Sequence, residues 1–201
     1  KALIAIGRSL NTEGLGLKDA GIDTGERGEV IINSYLQTSR SDVYAIGDLT
    51  GKIPLAHVAS AQGIAAVHNI LDSPRPMDYQ TVPNCIFTLP EIAGVGLTSQ
   101  EAEAQGMKIK TGKFPFLASG KAVAGGDTEG FVKILTDGES GRILGVHILG
   151  PHATDLIAEA TLAIRHNLTA RQLAETIHAH PTLSEAVAEA AEAVEGRSIH
   201  Y

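Results

Sequence analysis

The chain has 201 residues, 43% of them hydrophobic, which is enough length for one or two domains and enough apolar content to bury a core. Its formal net charge of −7 argues against a general nucleic-acid surface, and its single cysteine, Cys85, excludes an internal disulfide framework. Charged residues make up only 19% of the chain, below the roughly 25% of average globular composition.

The chain opens at Lys1 without an initiator Met, and no succession of basic, apolar and small residues follows. No signal peptide is therefore read, and a cytoplasmic location is expected. Ala2-Leu3-Ile4-Ala5-Ile6-Gly7 is a continuous apolar run ended by Gly, the pattern of a strand buried on both faces. Such a strand needs neighbours on both sides. Few candidates follow it, so the expectation is a chain that begins inside a sheet whose other strands are missing.

Further strands are predicted at Val30-Ile31-Ile32 and at Val43-Tyr44-Ala45-Ile46, the latter ending at Gly47-Asp48. A helix is predicted from about Leu55 to Leu71. The stretch Ile53 to Leu71 has no formal charge, but His57, Ser60, Gln62, His68 and Asn69 argue against a membrane span and for a buried soluble helix. Ser73-Pro74-Arg75-Pro76 stops the helix and reads as a linker.

Beyond it, strands are predicted near Val82–Phe87, Ile92–Leu97, Ile109–Phe114, Phe131–Leu135 and Ile143–Leu149. Asp137-Gly138-Glu139-Ser140-Gly141 joins the last two and predicts an antiparallel hairpin. Thr98 with Glu101, Thr169 with Gln172, and Thr182 with Glu185 each match a capping box, in which the two side chains satisfy backbone N–H groups at a helix start. The final helix places Leu183, Ala186, Val187, Ala190, Ala191 and Val194 on one stripe. The fold class read from this pattern is α+β. Residues 79–201 form a domain with an antiparallel sheet and helices, and residues 1–78 read as the tail of an α/β arrangement.

The strongest chemical signal is His178-Ala179-His180-Pro181-Thr182-Leu183-Ser184-Glu185. Pro181 keeps His180 out of helical conformation and itself suits the start of a helix. Glu185, in the first helical turn, can hold one ring nitrogen of His180 and stabilise the imidazolium, which leaves the other nitrogen to exchange protons. Other readings of the same residues stand beside this one. Glu185 serves only as the capping partner of Thr182, or His180 is only a polar loop residue. His178 and His180 as zinc ligands lack a Cys or carboxylate cluster to complete the site. Cys85 lies in an apolar stretch and reads as a buried core thiol.

The segment from His178 to Glu185, continued by Ala186, resembles the catalytic segment of dihydrolipoyl dehydrogenases in the flavin disulfide reductase family. The resemblance implies that His180 is the acid/base catalyst and that Glu185 orients its ring. Thr38 to Asp48, followed by Pro54-Leu55-Ala56-His57, resembles the family's second FAD contact. It implies that Asp48 accepts from a ribityl hydroxyl and that the helix start at Pro54, Leu55, Ala56 and His57 stabilises negative charge at the flavin pyrimidine edge. Ile6-Gly7-Arg8-Ser9-Leu10-Asn11 resembles the end of the NAD domain, which implies a nicotinamide contact at Gly7. It departs from the family at Leu10, where Pro is usual. Thr88-Leu89-Pro90-Glu91-Ile92-Ala93 with Val95-Gly96 resembles the start of the dimerisation domain.

The resemblance further implies that residues 1–78 are the tail of the NAD-binding domain and the second FAD segment, and that residues 79–201 are the dimerisation domain carrying the catalytic His. It implies a homodimer acting with FAD and NAD on a lipoyl-bearing protein of a 2-oxo acid dehydrogenase or glycine-cleavage system. The redox disulfide and both Rossmann fingerprints are missing from the sequence. Gly14-Leu15-Gly16 and Gly94-Val95-Gly96 each begin a G-x-G that no third Gly completes. The chain is therefore expected to be a carboxy-terminal portion, inactive alone and holding no cofactor, with no metal and no contact with nucleic acid or membrane. Two alternatives are a related flavin reductase acting on another disulfide or a metal ion, and a stand-alone dimerisation module.

Overall fold

The structure is a computed structural model that describes residues 1–71 and 73–201. The chain divides into two compact units, Lys1–Asp78 and Tyr79–Tyr201.

In the first unit the Ala2–Gly7 run forms no strand, and Leu3, Ile4 and Ile6 stand exposed. The expected strand is not realised because a β-ladder needs a partner edge, and none is offered among the described residues of this unit. The other two expected strands shrink to single antiparallel bridges, Thr24 with Val30 and Gln37 with Tyr44. Helix α1 spans Ala56–Ile70. It buries Val58, Gln62 and Ala66, spaced four apart on one stripe, and leaves Ile64, Val67 and Ile70 exposed. The uncharged run predicted a buried helix, but within this chain only one stripe is covered. No helix among the described residues is long and apolar enough to cross a membrane.

The second unit is α+β and is built on one five-stranded sheet. Its strands are β1 (Asn84–Ile86), β2 (Glu91–Gly96), β3 (Ile109–Pro115), β4 (Phe131–Asp137) and β5 (Ile143–Gly150). They lie in the order β1-β2-β5-β4-β3, and every neighbouring pair is antiparallel. The predicted β4–β5 hairpin is present, with Ile134 opposite Val146. The Asp137 carboxylate closes it by accepting from the Ser140 N–H at 2.7 Å.

The helices of this unit are α2 (Ser99–Ala104), α3 (Gly120–Gly125), α4 (Ala153–Arg165), α5 (Ala170–Ala174) and α6 (Glu185–Ala193). Complete capping boxes start α2 at Thr98 and α5 at Thr169, as predicted. The sequence reading passed over α4, whose buried residues Ala153, Ile157, Ala160 and Ala163 follow helical spacing. Helix α4 lies against β2 and β5, α6 against β3 and β4, and α5 against α6. Between these helices and the sheet sits the core, with Val95, Phe114, Val132, Ile134, Val146, Ile148, Ile157 and Val187.

The alanines of α6 serve this packing. Ala186, Ala190 and Ala191 are buried inside the unit, and a methyl group on Gly112 of β3 would strike the Ala190 carbonyl. Small residues on both sides let strand and helix backbones approach, as jigsaw packing requires. These three side chains therefore form a contact inside the unit.

Candidate active site

Between α5 and α6 the chain runs through Ile177–Ser184 without regular structure, and the His180–Pro181 peptide is cis. Helix α6 starts at Glu185 after Ser184, which contributes no side-chain cap. The third predicted capping box is thus incomplete, and Pro181 lies ahead of the helix. The Thr182 hydroxyl donates to the Ala179 carbonyl at 2.6 Å instead of capping the helix. The reciprocal half of the box survives, since the Thr182 N–H donates to Glu185 Oε2 at 2.8 Å.

The other oxygen of the same carboxylate accepts from His180 Nδ1 at 2.8 Å. Glu185 therefore both satisfies the turn and holds the imidazole, so two readings that the sequence left as alternatives coexist. The His180 side chain is 77% exposed, and Nε2 has no protein partner among the described residues. Burial pushes the Glu185 carboxyl up. The Thr182 N–H, the His180 hydrogen bond and the charges of His180 and His200 outweigh burial and hold it below the ordinary glutamate value. An ionised Glu185 with a proton on Nδ1 leaves the lone pair of the neutral ring on Nε2, facing solvent.

His178 has a different task. Its side chain is 8% exposed, Nδ1 lies 2.7 Å from the Thr176 carbonyl, and Nε2 lies 2.8 Å from Glu159 Oε1 on α4. With oxygen atoms beside both nitrogens, the ring ties the loop to α4. No group of three or more His, Cys, Asp or Glu side chains suited to a metal occurs among the described residues.

Cys85 is only partly buried and packs against the core. Burial, followed by the charges of Glu91 and Asp155, pushes its thiol up, away from the reactive thiolate.

The first unit holds the other predicted site residues. Gly47, at φ 78, turns the chain into a 3-10 turn over Asp48–Thr50. Gln62 is buried on α1, and its carbonyl accepts from the Gly47 N–H at 2.6 Å. Its place on the Val58–Ala66 stripe was the available signal. The turn that carries Asp48 is thereby pinned to the helix.

The Asp48 side chain is 49% exposed and meets Arg8 Nη1 at 3.3 Å, while Arg8 Nη2 donates to the Pro54 carbonyl at 2.8 Å. Such an exposed pair is worth little and yields to a competing donor. Leu55 precedes α1 and offers no side-chain cap, and Ala56 and His57 are exposed in the first turn, at the positive end of the helix dipole. An acceptor carboxylate beside an uncapped helix start fits one edge of a flavin: its hydroxylated chain and its electron-rich ring edge. Gly7 is placed apart from Asp48 and the helix start. It lies in the exposed amino-terminal segment, and no atom stands within 4 Å of where its side chain would be.

The chain belongs to the pyridine nucleotide-disulphide oxidoreductase family. The family's dimerisation-domain model matches residues 82–191, and a second pyridine nucleotide-disulphide oxidoreductase model matches residues 1–63. Dihydrolipoyl dehydrogenase of Bacillus subtilis (strain 168) is 50% identical over 202 residues, covering 100% of this chain and 42% of the relative. Mitochondrial dihydrolipoyl dehydrogenase of Caenorhabditis elegans is 45% identical, covering 94% of this chain and 38% of the relative. The chain thus spans less than half the length of these relatives.

Among solved structures, LpdA from Mycobacterium tuberculosis superposes with a TM-score of 0.89 at 34% identity, covering 94% of this chain and 42% of that one. The Cu(II) complex of the HOCl-induced flavoprotein disulfide reductase RclA from Escherichia coli also reaches 0.89, at 28% identity and with 94% and 44% coverage.

Proposed function

We propose that this chain is the carboxy-terminal part of a cytoplasmic dihydrolipoyl dehydrogenase and that His180 is its acid/base residue. The observation that carries this reading is the His180–Glu185 pair, with Nδ1 held at 2.8 Å and Nε2 open to solvent. In the reaction, Nε2 takes the proton from a dihydrolipoyl thiol. The S–H bond breaks, an N–H bond forms, and Glu185 stabilises the imidazolium. The thiolate left behind is the nucleophile for an enzyme disulfide, which this chain does not supply, since Cys85 is its only cysteine.

Residues 79–201 act as the interface domain of a homodimer in this reading, and residues 1–78 contribute to the cofactor side. Asp48 and the Pro54–His57 segment would hold one edge of FAD, which supplies two-electron transfer when bound. The sequence match at Gly7 supports a part in NAD binding. The protein substrate is a lipoyl-bearing protein of a 2-oxo acid dehydrogenase or glycine-cleavage system.

The test is an assay of the complete enzyme with NAD and dihydrolipoamide, beside glutathione disulfide and Cu(II) as alternative substrates with reduced nicotinamide nucleotide. Turnover confined to dihydrolipoamide is expected. Turnover of glutathione disulfide or Cu(II) without dihydrolipoamide activity would move the chain to the related flavin reductases. Absence of all three would leave the reading of a dimerisation module without catalysis.

A further inference from the structure

Glu189 lies one helical turn beyond Glu185 on α6, so the two carboxylates share one side of the helix. Its side chain is 9% exposed, although nothing in its own helix neutralises it. Its hydrogen-bond partners come from the far end of the chain. Oε2 accepts from the Ile199 N–H at 2.9 Å, the Ser198 hydroxyl at 3.0 Å and the His200 N–H at 3.4 Å, and Oε1 accepts from His200 Nδ1 at 2.6 Å. Beyond this clasp the Tyr201 ring meets the edge of Phe114, with centroids 6.3 Å apart.

Burial pushes the Glu189 carboxyl up, but the bonds from His200, Ile199 and Ser198 together hold it below the ordinary glutamate value. The charge of His200 also draws Glu185 downward. The other charged groups around α6 are already engaged: Lys110 of β3 with Glu195, Arg171 of α5 with Glu175, Arg197 with Glu192, and His180 with Glu185.

We propose that Glu189 is a positioning residue for the His180–Glu185 pair: by clasping Ser198–His200 it fixes the first turns of α6, and so the Glu185 carboxylate. The inference rests on the acid/base reading of His180. If the clasp opens, Glu189 loses the donors that hold it in place and its carboxylate turns to water. The turn of α6 that carries it is then no longer tied to the chain end and is free to shift. Glu185 moves with it, since one turn of helix links the two, and the hydrogen bond to Nδ1 is lost or lengthened.

The test uses His200→Ala, His200→Asn and Glu189→Ala. His200 is exposed, so its variants keep the fold even where Glu189→Ala does not. In the 201-residue chain, hydrogen exchange at the Ile199 and His200 amides reads the clasp. In the complete enzyme, kcat and KM for dihydrolipoamide read its consequence. His200→Ala is expected to speed exchange and to lower kcat about tenfold with KM within about twofold, the scale of a small misplacement of a reacting group. His200→Asn keeps an N–H close to the position of Nδ1 and is expected to restore kcat. An unaltered kcat with the tail released overturns the proposal, as does fast exchange of both amides in the unmodified chain, or an effect on KM alone. Full turnover of a His180→Gln enzyme is a separate result that removes the acid/base reading itself.

Discussion

The Glu185 carboxylate reaches His180 at Nδ1, 2.8 Å away, and so leaves Nε2 as the ring nitrogen turned to solvent. Replacing the ring and replacing its support should differ in consequence. His180→Gln in the complete enzyme is expected to lower the dihydrolipoamide half-reaction by about 10²–10⁴-fold, the range of general acid/base catalysis, with flavin content unchanged. Glu185→Gln keeps an oxygen for Nδ1 but loses the charge, and its cost is expected to be smaller. Stopped-flow reduction of the enzyme by dihydrolipoamide measures both. A His180→Gln rate near that of the unmodified enzyme would refute the assignment.

Glu189 makes stability depend on acid. Its folded carboxyl is held below the ordinary glutamate value, so the folded state prefers the ionised form. The stabilisation is present above the unfolded value and is lost as pH falls through the lower, folded value. Urea denaturation between about pH 7 and pH 3 should therefore show a decline at the acid end that is shallower in Glu189→Gln. Identical pH profiles for the two proteins would count against the clasp.

Gln62 predicts a cost in the first unit. In Gln62→Leu the Gly47 N–H loses an acceptor now 2.6 Å away on a buried side chain. Gly47 is only half-buried, so the loss is expected to cost no more than about 1–3 kcal/mol, the range for a fully buried polar group. The expected signs are a lower urea midpoint for the first unit and faster hydrogen exchange at the Gly47 amide. Unchanged exchange there would show that the turn bearing Asp48 does not depend on α1.

The purified chain is expected to be colourless, because Asp48 and the Pro54–His57 segment offer only one edge of a flavin site. Absorbance in the flavin range at one equivalent per chain would contradict this and would mean that another surface completes the site.

A homodimer is the expected state in solution, since the dimerisation-domain match covers residues 82–191. Light scattering at micromolar concentration should give twice the 21.0 kDa mass of one chain. A single-chain mass independent of concentration would show that the interface needs more of the protein than is present here.

Local chemistry made much of the second unit readable. Alternating apolar residues and the Asp137–Gly141 turn announced β4 and β5, and Thr98 and Thr169 announced their helices, because each signal acts within a few residues. Helix α4 carried no such signal. It starts after His152 in left-handed conformation, and Glu91 on distant β2 accepts from the Thr154 N–H at 3.0 Å and its hydroxyl at 2.8 Å. A cap supplied from another strand cannot be seen along the chain. The pairing of His180 with Glu185 was one of the readings that their spacing allowed. The covering of Glu189 by Ser198–His200 was not legible in this way, because it depends on where the chain end returns. The apolar run at Ala2–Gly7 forms no strand although its pattern is that of one, because the pattern describes a strand between neighbours and the described residues of this unit provide none.

The strand order β1-β2-β5-β4-β3 also sets a timetable for synthesis. The β1–β2 ribbon leaves the ribosome first, but the second edge of β2 pairs only with β5, which is made after β3 and β4. In that interval Ala93 and Val95, later buried, face water beside an open backbone edge. Nascent chains stalled between β2 and β5 are thus the ones most exposed to pairing with each other, and the ones for which a chaperone matters most.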